Sequence, residues 1–171
     1  SYCGVWKRPG NATSWAEVMT KETVFGGGAP SAITSQHPQI LKNVLGANIK
    51  IITGYQGSRD INLAMQRGEV HGTCGMFSSS IRTSWFREVQ SGDLPLVIQV
   101  GPKKSKEFGE VPHVFDMAKT EDDRAVLDFH FGQILLSRPY ATPPGIPEDR
   151  LQALREAFAA TMKDKEFLAE A

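Results

Sequence analysis

The chain has 171 residues, 40% of them hydrophobic and 22% charged, with 19 basic side chains balanced by 19 acidic ones. This is enough apolar material for a well-packed domain and too mixed a composition for a disordered chain. The charge balance excludes a nucleic-acid surface of the usual basic kind, and no apolar run approaches the roughly 20 residues that span a bilayer. A small-molecule or protein partner remains.

Short apolar runs alternate with amphipathic stretches, the pattern of an α/β domain whose strands are buried under helices. Cys3-Gly4-Val5-Trp6 is a short run ended by a turn at Pro9-Gly10. Ser14 is placed to cap a helix from Trp15 to Met19, with Glu17 three residues on. Thr23-Val24-Phe25 reads as a strand closed by Gly26-Gly27-Gly28. Pro30 and Ser31 open a helix that runs to Leu45 and stops at Gly46. The β-branched run 49–53 is a strand, and Gly54-Tyr55-Gln56-Gly57 turns it into a helix from Ser58 to Gln66, broken by Gly68. Val70 to Gly75 is the next strand, followed by a serine turn at 78–80 and a helix to about Gln90. Leu94 to Val100 completes the strands.

Lys103, Lys104 and Lys106 read as a solvated surface turn, since one short basic run makes no patch in a neutral protein. A helix is expected from Glu121 to Gly132, its three leading acids favoured by the positive helix end, then an extended segment from Ile134 to Tyr140. The prolines at 143, 144 and 147 precede a C-terminal amphipathic helix from Glu148 to Met162 and a short tail helix.

Several chemistries lack their residues. Gly26 to Ser31 carries no lysine for a phosphate loop, and neither Gly57-Ser58 nor Gly75-Met76-Phe77-Ser78 makes a hydrolase elbow. The four histidines are scattered at 37, 71, 113 and 130, and His71 and Cys74 lie three apart on a strand, facing opposite ways. No metal, cofactor or catalytic set is expected, and the chain is read as a non-enzyme. Cys3 and Cys74 are too few for a disulfide scaffold and are expected to be two buried thiols.

What stands out is a strand, three glycines and a helix start in succession. Glycines let the backbone approach a ligand closely, and the free amides of a helix N-terminus favour an anion. On its own this is a common strand-to-helix connection. The arrangement recurs at 53–58 and again at 75–79, and in a parallel sheet all three junctions lie at the carboxyl ends of the strands, where open α/β sheets bind ligands. Tyr55 can pack or contact, and Ser78, Ser79 and Ser80 can cap or bind.

The runs from Leu45 to Tyr55, from Ala64 to Val70, and Arg138-Pro139-Tyr140 with Pro143-Pro144-Gly145-Ile146-Pro147 resemble the solute receptors of tripartite tricarboxylate transporters, the Bug family. His71 departs from that pattern, where many relatives are expected to carry an acid. The resemblance implies a type II periplasmic binding protein fold of two α/β lobes closing on a carboxylate. One lobe is then near-complete, residues 8–134, with hinge crossings and the C-terminal part of the other lobe at 1–7 and 135–171. It further implies that Gly27, Gly28, Ala29 and Ser31 bind one carboxylate of the ligand. Tyr55, Gly57 and Ser58, with Gly75, Met76, Ser78 and Ser79, would line the remaining wall.

The implied function is periplasmic capture of a small organic acid and its presentation to membrane subunits, with hinge closure as the working motion. A ligand-sensing domain of a regulator, which can use the same bilobed fold, is the alternative. The start at Ser1, with no initiator Met or signal-peptide pattern, is expected to reflect truncation or processing. A piece of one lobe is expected to bind weakly, because half the walls of a closed site are missing, and exposed apolar surface could drive dimerisation.

Overall fold

Five short strands form a mixed sheet in the order β3-β2-β4-β1-β5 in a computed structural model that describes residues 1–136 and 139–170. The strands are β1 (Tyr2–Val5), β2 (Thr23–Gly26), β3 (Ile49–Ile52), β4 (Gly72–Met76) and β5 (Leu96–Gln99). β2 runs parallel to β3 and to β4, whereas β1 is antiparallel to both β4 and β5. The expected hinge segment 1–7 thus contributes β1 to this sheet. Contacts divide the chain into two units, 1–136 and 137–171.

In the first unit the helices α1 (Trp15–Thr20), α2 (Ile33–Leu45), α3 (Ser58–Arg67), α5 (Phe86–Ser91) and α6 (Glu121–Gly132) follow the expected segments closely, whereas α4 (Ser78–Ser80) is helical where a serine turn was expected. Glycine ends three of them, because Gly46, Gly68 and Gly92 adopt left-handed φ values of 72°, 82° and 77° while their amides close the last turn. Apolar side chains from both faces of the sheet make the core. Phe25, Leu41, Val97, Leu127 and Phe131 pack together, and a second cluster joins Ile61, Met65, Ile81, Trp85 and Leu94. At Gly72 the β1 and β4 backbones approach so closely that a Cβ would collide with the Gly4 carbonyl oxygen and lie 2.6 Å from Phe25 Cε1.

Three expectations are corrected. Cys3 and Cys74 are not thiols but a disulfide joining β1 to β4, their Cα atoms 4.0 Å apart. Sequence separation concealed the pair; the antiparallel pairing of two strands 71 residues apart creates it. The extended segment expected from 134 is instead a short 3-10 helix, Gln133–Leu136, continuing α6. Its apolar residues are compatible with either state, and Gly132 remains helical instead of ending the helix. Arg138, part of the quoted Arg-Pro-Tyr motif, lies outside the described residues. Finally, the helix after β4 contains a π-helical turn, Ile81–Trp85, between α4 and α5.

The second unit holds α7 (Glu148–Thr161) and α8 (Lys165–Glu170). The ring of Tyr140 lies 5.1 Å from that of Phe158, so the proline-rich segment folds back along α7.

Candidate functional site

Parallel pairing of β3, β2 and β4 brings the three glycine junctions to the same edge of the sheet, and hydrogen bonds tie them together. Gly27 N–H donates to Ile52 C=O at 2.8 Å, while Gly54 and Tyr55 N–H donate to Gly28 and Gly27 C=O. Gly28 N–H donates to Thr34 Oγ1 at 3.0 Å, and Ser35 Oγ donates to Gly28 C=O. The third junction reaches the same place through Gly75, at left-handed φ 81°, where a Cβ would sit 3.0 Å from Ile33 Cγ2.

These bonds redistribute the expected roles. The amides of Gly27 and Gly28 both have partners inside the protein, and both residues are buried, so this loop braces the junctions. The free donors are one step further along, in the first turns of the helices. At α2 the Ser35 and Gln36 amides bond to Ala32 C=O, which leaves those of Ile33 and Thr34 without a helical partner. At α3 the Asp60 and Ile61 amides bond to Gly57 C=O and leave Ser58 and Arg59 in the same position. Neither helix has a side-chain cap, their cap residues being Ala32 and Gly57, and α4 begins equally uncapped after Phe77. By contrast, α1 is capped by Ser14 and α6 by a complete capping box of Thr120 and Asp123.

A cavity of about 360 Å³ opens against these helix starts. Its floor is Thr73, Cys74, Gly75 and Met76 of β4; α2 contributes Thr34, α3 contributes Ser58, Arg59 and Asn62, and the helix after β4 contributes Ser80, Ser84 and Trp85. Of the expected residues, Ser58, Gly75 and Met76 line it. Gly27, Gly28, Ala29, Ser31, Tyr55, Gly57, Ser78 and Ser79 belong to the surrounding junctions without lining it.

Thr34, Arg59, Asn62, Ser84 and Trp85 were not foreseen, while Ser80, read as able to cap or bind, does line the cavity. Helical spacing carries a signal for some of them, since Ser58 and Asn62, like Ser80 and Ser84, are four apart and share a face in a regular helix. The π turn that sets Ser84 and Trp85 has no such signal.

Among the described residues, Arg59 is the only charged one lining the cavity. It makes no hydrogen bond or ion pair with any described residue, whereas Arg82 is paired with Glu107 at 2.7 Å. Tyr55, beside the junction, has its phenol pushed up by burial and by the charge of Glu69, which keeps it a neutral donor. His71, the departure noted in the sequence, replaces a strand bond: its Nδ1 accepts from Val24 N–H at 3.1 Å, and burial lowers its pKa. No group of three or more potential metal ligands occurs among the described residues.

A second cavity, of about 490 Å³, runs along the flank of α2 beside β3 and is lined by Pro30, Ser35, Gln36, Gln39, Ile40, Ile51, Thr53 and His130. It contains none of the expected binding residues and no permanently charged group.

Among known proteins, no family model matches the chain, and no curated protein matches it. A solved structure does: a TctC solute binding protein from Polaromonas, crystallised with no ligand, is similar with a TM-score of 0.51 and 12% sequence identity. The match covers 80% of this chain and 52% of that one, so the chain spans about half the length of its structural relative. The fold of this chain is therefore similar to about half of that TctC solute binding protein.

Proposed function

We propose that this chain is the ligand-contacting part of an extracytoplasmic receptor that captures a small organic carboxylate for a tripartite tricarboxylate transporter. The observation that carries the reading is the set of uncapped helix starts around one cavity at the carboxyl edge of three parallel strands. Free amide donors and the positive helix ends favour an anion there. The cavity has the size range of small-molecule sites, and its remaining walls are hydroxyl and amide side chains from Ser58, Asn62, Ser80 and Ser84.

Two further observations support the reading. The fold matches a protein described as a TctC solute binding protein. The Cys3–Cys74 disulfide suits an oxidising compartment such as the periplasm. Such a site binds by lobe closure, in which bound acid stabilises the closed form, and the membrane subunits then receive the ligand. Within the chain's own walls the ligand is held by α2 and α3 amides and by the hydroxyls opposite.

The test is an NMR titration of the ¹⁵N-labelled chain with acetate, succinate and citrate at constant ionic strength. Saturable shifts concentrated at Thr34, Ser58, Arg59, Gly75 and Met76 are expected. Millimolar acid that leaves these amides unmoved, or moves them no more than chloride does, removes the carboxylate reading.

A further inference from the structure

We infer that Arg59 makes this cavity selective for acids that carry a second negative charge. The inference rests on the carboxylate reading above and goes beyond it to the class of acid. The helix ends supply only partial charge and neutral donors, enough for one carboxylate. Arg59 adds a full positive charge that no described residue neutralises: it lines the cavity, makes no ion pair with any of them, and no described acidic residue lines the cavity with it.

Its sequence neighbour Asp60 belongs to the same first turn but does not line the cavity, and Glu107 is engaged by Arg82. Arg87 and several lysines are also unpaired, yet none of them lines the cavity. The polar side chains nearest Arg59 along α3, Ser58 and Asn62, make no hydrogen bonds with described residues either. One face of α3 thus offers a guanidinium, a hydroxyl and an amide, all free. A guanidinium holds a carboxylate in a two-pronged, planar geometry that neutral donors do not reproduce. A monocarboxylate satisfies the helix amides and leaves Arg59 facing water; a dicarboxylate of suitable length reaches both.

The experiment compares two acids of equal carbon count, butyrate and succinate, at pH 7.5 and fixed ionic strength, with amide shifts of the ¹⁵N-labelled chain as readout. Wild type is expected to bind succinate about tenfold more tightly than butyrate, as a charge-assisted bidentate contact warrants. In Arg59→Gln the ratio should fall to within about twofold, and in Arg59→Lys, which keeps the charge but loses the fork, it should lie between. Arg59 is exposed and unpaired, so both variants should keep the wild-type spectrum outside α3. Equal affinity for the two acids in wild type, or an undiminished preference in Arg59→Gln, overturns the inference while leaving carboxylate binding in place. Silence of the cavity amides with both acids overturns the carboxylate reading itself.

Discussion

Replacing Gly57 by aspartate asks whether the start of α3 is left uncapped for a ligand. Gly57 has extended backbone, φ −174° and ψ 178°, as ordinary cap residues do, and a Cβ there would meet nothing within 4 Å. The side chain can therefore accept from the first-turn amides at no steric cost. An aspartate cap in place of glycine adds a few tenths of a kcal/mol, and its charge at the positive helix end adds about 0.3–1 kcal/mol. The sum, about 1 kcal/mol, corresponds to a rise in Tm of about 4 °C for a domain of this size. Thermal unfolding followed by tryptophan fluorescence reports this unit alone, because Trp6, Trp15 and Trp85 all lie within it. The same substitution should cost affinity, since an incoming acid must displace the new cap and sit beside a like charge. These two costs together weaken succinate binding by about tenfold or more. A more stable protein with unchanged affinity would show that the α3 amides do not hold the ligand. A less stable one would show that they were never free.

Two further outcomes follow from the packing of the same unit. The Cys3–Cys74 bridge closes a loop of 71 residues, and on the chain-entropy account a Cys3→Ala/Cys74→Ala variant should lose about 4 kcal/mol, moving the urea midpoint down by about 2 M. Two titratable thiols in the unreduced, unfolded wild-type chain would refute the pairing. His37 is 4% exposed, its Nδ1 has no partner, and burial together with the charge of His130 lowers its pKa from 6.5 to about 3. Its folded pKa is depressed, so its contribution is complete above pH 6.5 and is lost as the pH falls toward 3, with about 2 kcal/mol gone by pH 4.5. His37→Phe keeps an aromatic ring against Phe131 and should flatten that acid limb in urea unfolding at pH 4.5–7. An unchanged slope would mean that His37 is not held neutral.

Most of the fold could be read from local signals because those signals agree with one another. Gly46 and Gly68 end their helices where the apolar periodicity stops, and Ser14 and Thr120 stand where their helices begin. The failures are of another kind. The disulfide depends on which strands become neighbours, and the order β3-β2-β4-β1-β5 places β1 beside β4 although two other strands intervene in sequence. The 3-10 turn at Gln133–Leu136 and the π turn at Ile81–Trp85 depend on tertiary packing around Phe131 and Trp85, both buried, and not on any residue type that marks them.

The site was legible at the level of the junctions and illegible at the level of the atoms. Three glycine turns after three strands were visible, and parallel pairing brings them to one edge. Glycine, however, signals close approach without saying what approaches. At Gly27 and Gly28 the partners are Ile52 and Thr34 of the protein itself. The informative residues are instead those missing from the helix starts. Where α1 and α6 begin, this chain uses Ser14 with Glu17 and Thr120 with Asp123 to satisfy the first-turn amides. At α2, α3 and α4 it places Ala32, Gly57 and Phe77, none of which can accept a hydrogen bond through its side chain. Each missing cap costs up to about 1 kcal/mol relative to a serine or aspartate. Three such omissions at one edge of one sheet, beside an unpaired guanidinium, are the local inconsistency expected of a place where stability has been given up for a ligand.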